Sequence, residues 1–302
     1  MFKKIIIIGK GSSGTNHINA LKSINKNFLI KHVSSRNFNK TFGKNYEKLK
    51  KFNPDYFIIC SPSSYHYNHI KIIEKFFKNK HILVEKPLFN NSKKFFKKLN
   101  NKVFVGYNLR YHPVLKFIKN YIKNKKIFFV RVDCSSYLPD WRKKINYKKS
   151  VSARKKLGGG VKLELSHEID YLNWIFGDFR SLFTFNKKIS NLQINCDDIL
   201  CLNALTKSRT FINLTLNFFS RFENREILVD GKNFSIHGDL IRNKLNLIEK
   251  TKKRQINFKN FNTSKSYMLE HLDLLNKKYK TNCTYKEAIN RQNTLRKIDI
   301  FK

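Results

Sequence analysis

The stretch KIIIIGKGSSG at residues 4–14 constrains the fold more than any other part of the chain. Four consecutive isoleucines, Ile5 to Ile8, run without a polar interruption towards Gly9, Gly11 and Gly14. An apolar β-branched run bounded by glycines reads as a strand buried on both faces, the habit of strands in parallel sheets. The G-x-G-x-x-G spacing supplies a tight turn at Gly9, close backbone approach to a pyrophosphate at Gly11 and close helix packing at Gly14. The motif follows a strand pattern and opens a helical one, HINALKSI, which is the context that a dinucleotide turn requires. Gly9, Gly11, Ser12, Ser13 and Gly14 are therefore candidate cofactor-binding residues.

A chain of 302 residues with 41% apolar side chains has room for about two domains, each with its own core. Its formal charge of +41 would ordinarily point to a polyanion partner. Here the positive residues are mostly Lys, 49 against 13 Arg, beside 36 Asn and only 4 Ala, the usage that an AT-rich genome imposes without selection for nucleic acid. The lysines are also scattered in ones and twos, as on solvated helix faces. The expectation is no nucleic-acid partner and an anionic small-molecule substrate. The five cysteines, Cys60, Cys134, Cys196, Cys201 and Cys283, show no metal-ligand spacing and read as free thiols in a reducing cytoplasm. No metal centre is expected. No stretch approaches the roughly 20 apolar residues of a membrane span, so a soluble, cytoplasmic protein without a membrane partner is expected.

Along the chain, residues 28–33 read as a second strand, at whose end an NAD site would place a carboxylate on the ribose. The sequence offers Ser34, Ser35 and Arg36 instead, with no acid before Glu47. Hydroxyls and a guanidinium suit a phosphate, so Ser35 and Arg36 are candidate cofactor contacts and NADP is favoured over NAD. A helical segment at 40–51 leads to a third strand at 56–60, which ends in Ser61 and Pro62; these two and His66 are candidate lining for the cofactor. A fourth strand, 81–84, runs into Glu85, Lys86 and Pro87, and a lysine held in an apolar setting at a strand's carboxyl end can trade protons. After a fifth strand at 103–105, Arg110 and His112 stand at the start of a helix that bridges to a second domain.

These residues carry a resemblance. GKGSSG, CSPSSYH, VEKP and GYNLRYHP, in this order, resemble the N-terminal half of the glucose-fructose oxidoreductase/inositol dehydrogenase (Gfo/Idh/MocA) family. SYLPDWR, GGG and SHEIDYL further on are similar to one of its subgroups. The resemblance implies an α/β protein: a Rossmann domain with a doubly wound parallel sheet, residues 1–118, followed by a C-terminal α/β domain with an open, mainly antiparallel sheet, residues 119–302. It also implies nicotinamide-dependent oxidation or reduction of a sugar or cyclitol. By the same resemblance Glu85 and Lys86 lie at the cofactor, Lys86 positions the reacting hydroxyl, His167 is the acid/base and Asp170 supports it. Glu164 is offset from the acid that many relatives carry before the histidine, and is kept only as a substrate-binding candidate.

The second half also reads from its own pattern. Residues 161–176 have apolar positions at helical spacing, with Glu164, His167 and Asp170 three apart on one side. Gly158, Gly159 and Gly160 before them permit close approach by a bound molecule. Arg110 and Arg142 suit carboxylate or phosphate, and Trp141 suits stacking on a sugar or base, so these three are candidates for holding substrate. Strands follow, with turns at NK, SR, EN and GK, in a sheet with one face left free for substrate or for assembly of a homo-oligomer. Residues 265–280 and 284–300 read as terminal helices. The expected activity is hydride transfer between nicotinamide and the hydroxyl or carbonyl of a sugar, a nucleotide sugar or sugar acid. The competing reading is a redox regulator that binds the cofactor without turnover.

Overall fold

The computed structural model describes residues 3–35, 38, 47, 49–90, 95–142 and 146–300. The chain divides into two compact units, Met1–Asn108 with Asn262–Ile289, and Leu109–Phe261 with Asn290–Lys302.

The first unit is built on the isoleucine run. β1 (Lys4–Ile8) pairs in parallel with β2 (Leu29–Val33) on one side and β3 (Tyr56–Ile59) on the other. β4 (His81–Glu85) and β5 (Lys102–Gly106) continue the parallel sheet beyond β3. A two-residue strand, β14 (Cys283–Thr284), closes that edge antiparallel to β5. Ile5 to Ile8 are all 0% exposed, and alternate members enter two different apolar clusters, Ile6 and Ile8 in one, Ile5 and Ile7 in the other. Both faces of β1 are therefore covered, as the unbroken apolar run requires. The helices α1 (Ser12–Ile24) and α2 (His66–Phe76) follow β1 and β3. The strand order turns back at β1, so the carboxyl ends of β1 and β3 form the crevice where open α/β sheets bind ligands. The helix expected at 40–51 falls largely outside the described residues; 49–52 are helical.

The second unit begins with α3 (Pro113–Tyr121), whose Val114, Leu115 and Ile118 lie in this unit's core. Its sheet has eight strands: β6 (Ile127–Tyr137), β7 (Phe179–Lys187), β8 (Ile199–Thr206), β9 (Phe211–Asn217), β10 (Phe219–Gly231), β11 (Phe234–Asp239), β12 (Lys244–Glu249) and β13 (Lys252–Asn257). All neighbours are antiparallel except β6 and β9. Ile212, Leu214 and Leu216 are buried while Phe211, Asn213 and Thr215 are not, the alternation of a sheet covered on one face. The turn expected at Glu223 and Asn224 is absent: β10 runs through both, and the irregularity is absorbed as a register shift against β6 between Phe219 and Asn224. Short helices α4 (Val161–Glu164) and α5 (Ser166–Phe176) divide the expected single helix at Leu165. Two further helices close the chain, α6 (Thr263–Leu275) and α7 (Tyr285–Ile300).

Candidate active site

Gly9 leaves β1 at φ +115°, and a β-carbon there would strike the Cys60 carbonyl. A β-carbon at Gly14 would strike the carbonyl of Gly9, so α1 packs against the turn as only glycine allows. Around Gly11 there is nothing within 4 Å of that position. The turn is thus tight at its first and third glycines and open at its second. α1 starts at Ser12 with no acid in its first turn, leaving amide N–H groups and the positive end of the helix dipole for an anion. These features fit the pyrophosphate of a dinucleotide. Ser35 follows β2 and is half-buried; Arg36 lies outside the described residues.

At the end of β3, Ser61 Oγ bonds His69 Nδ1 at 3.0 Å, while Pro62 is half-buried. His66 is fully buried, its Nε2 2.8 Å from the Ser61 carbonyl and its Nδ1 3.0 Å from that of Pro87. Its ring fastens the Ser61 loop to the loop after β4. Burial holds its pKa below the usual value, although the carbonyl contacts oppose that.

The loop after β4 starts at Glu85, which is 7% exposed, and Lys86, which is half-buried and precedes a cis peptide bond. Burial opposes the charge of Glu85. The hydrogen bond from His17, the charge of Lys86 and the Lys86 backbone N–H outweigh it and hold the carboxyl below its usual pKa. His17, three residues after Gly14, stands in no motif of the sequence. The available signal was its place on the buried face of α1 with Gly14 and Leu21.

In the second unit, the candidates separate into buried and reachable groups. Arg110 is 1% exposed; its Nε and Nη2 donate to the two oxygens of Asp170 at 2.8 and 2.7 Å. Arg291 adds a bond to Asp170 at 3.3 Å and one to Asp178 at 2.9 Å. Arg110 and Asp170 therefore form the buried fastening of α5 to its surroundings, and neither offers a charge to solvent. Arg291, from the end of the chain, had no signal in the sequence, since its partner lies 121 residues away. His167, on the first turn of α5, is half-buried. Glu164, the last residue of α4, accepts from Ser152 Oγ at 3.0 Å. Trp141 and Arg142 are exposed at the end of a short helical turn that follows β6, with the indole N–H donating to Ser136 Oγ at 2.8 Å.

The glycine triplet behaves differently from the expectation that it admits a bound molecule. A β-carbon at Gly159 would meet the carbonyls of Val151 and Ser152, and one at Gly160, where φ is +109°, would meet the Asp197 carboxylate. The close approach at these two glycines is made by the chain itself, with Asp197 accepting from the Lys162 N–H at 2.9 Å. Among the described residues no group of three or more His, Cys, Asp or Glu side chains is placed to hold a metal ion, and no helix is long and apolar enough to cross a membrane.

Comparison with known proteins agrees with this architecture. Residues 3–107 match the model of the oxidoreductase family with an NAD-binding Rossmann fold, GFO_IDH_MocA. No curated protein matches the chain in sequence. Among solved structures, it is similar to the WlbA dehydrogenase from Bordetella pertussis, in complex with NADH and UDP-GlcNAcA, at TM-score 0.76 and 15% identity, over 100% of this chain and 96% of that one. It is also similar to the UDP-N-acetylglucosamine 3-dehydrogenase GnnA from Acidithiobacillus ferrooxidans, at TM-score 0.79 and 12% identity, over 100% and 98%. Levoglucosan dehydrogenase in complex with NADH gives TM-score 0.80 and 15% identity, over 99% and 95%. At these identities the likeness is one of fold.

Proposed function

We propose that this chain, whose residues 3–107 match the model of the NAD-binding Rossmann domain of the Gfo/Idh/MocA oxidoreductase family, transfers hydride between nicotinamide and a sugar hydroxyl or carbonyl. The observation that carries the reading is Lys86, held beside a buried carboxylate at the carboxyl end of β4 in the same unit as the open glycine turn. A protein that only binds the cofactor needs the turn and not the lysine.

When bound, nicotinamide supplies the hydride acceptor or donor. Gly9 to Gly14 and the start of α1 would hold its pyrophosphate, and Ser35 and Arg36 would meet the ribose end. The missing carboxylate between Ser34 and Glu47 favours a 2′-phosphate, hence NADP over NAD. Ser61 and Pro62 line the cofactor, with His66 shaping their loop from behind. Lys86 positions the reacting oxygen and His167 exchanges its proton, a transfer worth ~10²- to 10⁴-fold in rate. Asp170 and Arg110 hold the helix that carries His167. Trp141 and Arg142, exposed on one loop, are suited to a flat base or ring and to an anionic group, so the substrate class is a nucleotide sugar or sugar acid. The protein works in the cytoplasm.

A panel of nucleotide sugars and sugar acids, followed by nicotinamide absorbance with NAD and NADP in parallel, tests this. Turnover of at least one anionic sugar, with NADP preferred, is the expected result. Preference for NAD would overturn the reading of Ser34 to Arg36.

A further inference from the structure

The first unit holds a run of buried polar side chains that the reaction above does not use. Tyr56 on β3, His271 on α6 and His17 on α1 are each 0% exposed. The Tyr56 hydroxyl is 3.0 Å from His271 Nδ1, His271 Nε2 is 2.9 Å from His17 Nδ1, and His17 Nε2 is 3.0 Å from Glu85 Oε1. The other oxygen of Glu85 accepts the Lys86 N–H at 3.2 Å. Three elements remote in sequence thus converge, in single file, on the residue beside Lys86.

The chemistry of the atoms sets the direction of the file. A carboxylate only accepts, so His17 donates from Nε2. With one proton on its ring, His17 must accept at Nδ1, which makes His271 Nε2 the donor. His271 then accepts at Nδ1 from the Tyr56 hydroxyl. Each histidine donates once and accepts once, with the Tyr56 hydroxyl the donor at the start of the line and the Glu85 carboxylate the acceptor at its end. Burial pushes the His271 pKa well down, while burial followed by Glu270 and Cys60 raises that of Tyr56; both keep the protonation that the file requires. The remaining groups facing it are Tyr267, whose ring edge lies 4.9 Å from His17, and Glu270 and Cys60 beside Tyr56.

We propose that Tyr56, His271 and His17 are positioning residues: an oriented hydrogen-bond chain that ends on the Glu85 carboxylate and through it fixes the place of Lys86. The proposal rests on the reading of Lys86 as the group that handles the reacting oxygen. It adds that α6, which returns to the first unit after residues 109–261 of the second, helps to set that lysine.

The test uses the full chain with cofactor and two readouts that need no turnover. Nitrogen NMR of labelled histidines reads the tautomers directly; the chain requires the proton on Nε2 of both His17 and His271 and an unprotonated Nδ1 on each. A charged His17, or a proton on Nδ1 of either ring, would overturn the direction of the chain. The second readout is the rate at which Lys86 is acetylated, followed by peptide mass spectrometry in wild type, His17→Leu and His17→Gln. Gln keeps an N–H donor for Glu85 and Leu removes it. With the donor lost, the Glu85 carboxylate is no longer held in place beside the Lys86 backbone N–H, the lysine leaves its fixed position, and labelling rises about threefold or more in His17→Leu. His17→Gln stays near wild type, and His271→Leu and Tyr56→Phe rise progressively less. Equal rates in Leu and Gln variants would mean that His17 is only a space-filling core residue, and would overturn the proposal. Should His17→Leu fail to fold, His271→Leu against His271→Gln reads the same contrast one link further back. No sugar turnover with tautomers and labelling as expected would overturn the assigned reaction while supporting the positioning of Lys86.

Discussion

Asp170 is held by two guanidinium groups, those of Arg110 and Arg291, and is 1% exposed, with Arg291 also bonded to Asp178. Removing one partner of a buried pair leaves an uncompensated charge, which costs about 3–5 kcal/mol. Asp170→Asn is expected to lower unfolding stability by that amount in a urea titration. A change within ~0.5 kcal/mol would show that the cluster is solvated in solution. The residue scale is also where sequence reading reaches least far. SHEID gave the positions of His167 and Asp170, yet the partners of Asp170 come from residues 110 and 291, and no local pattern links them. His17 and His271 are a similar case: each sits on a buried helix face, and only the fold shows that they face each other.

Among the elements, α3 shows how one side chain can set both a helix start and a pH response. His112 is its N-cap, accepting the Val114 N–H at Nδ1 while Nε2 faces the Leu240 carbonyl at 3.1 Å. Burial, partly opposed by the hydrogen bonds to Leu240 and Asn243, lowers its pKa to about 4. The folded pKa lies below the unfolded value of about 6.5, so the unfolded chain binds more protons between the two. His112 therefore contributes stability that is present above pH ~6.5 and is lost as the pH falls towards ~4. His112→Asn keeps an acceptor for Val114 but cannot titrate, and should flatten the fall in stability over this window by about one bound proton. His112→Ala should flatten it equally and lose a further ~1 kcal/mol at neutral pH for the missing cap. Unchanged slopes in both variants would remove His112 from the acid response. At this scale much was legible, because β1, β3, β4 and β5 are apolar runs bounded by turn residues. The first part of β10 does not read as strand, since Glu223 and Asn224 look like a turn while a register shift carries the strand past them. β12 and β13 were missed because LNLIEKTKKRQIN is charged, with Leu245 and Leu247 the buried side of a thin alternation.

For the molecule as a whole, the Rossmann sheet and the second, mainly antiparallel sheet were legible from motif order and strand pattern. The return of residues 262–289 to the first unit was not, since a chain's late segments carry no mark of where they pack. The eight-stranded sheet leaves one face open, and Phe183 is 72% exposed, Phe185 47% and Phe211 43%, a row of aromatics that a solitary chain would leave in water. A homo-oligomer through this face is the expectation, and light scattering should give a multiple of 36.0 kDa. Phe183→Asp with Phe185→Asp should shift the mass to that of one chain; a wild-type mass equal to one chain would contradict assembly through the sheet.

The central claim is that the glycine turn holds a reacting cofactor and that Lys86 handles the substrate oxygen. Its most direct measurement pairs NADPH binding with sugar turnover in wild type and Lys86→Ala. The account predicts cofactor affinity within about twofold of wild type and turnover lower by ~10²-fold or more. Turnover in Lys86→Ala equal to wild type would contradict it.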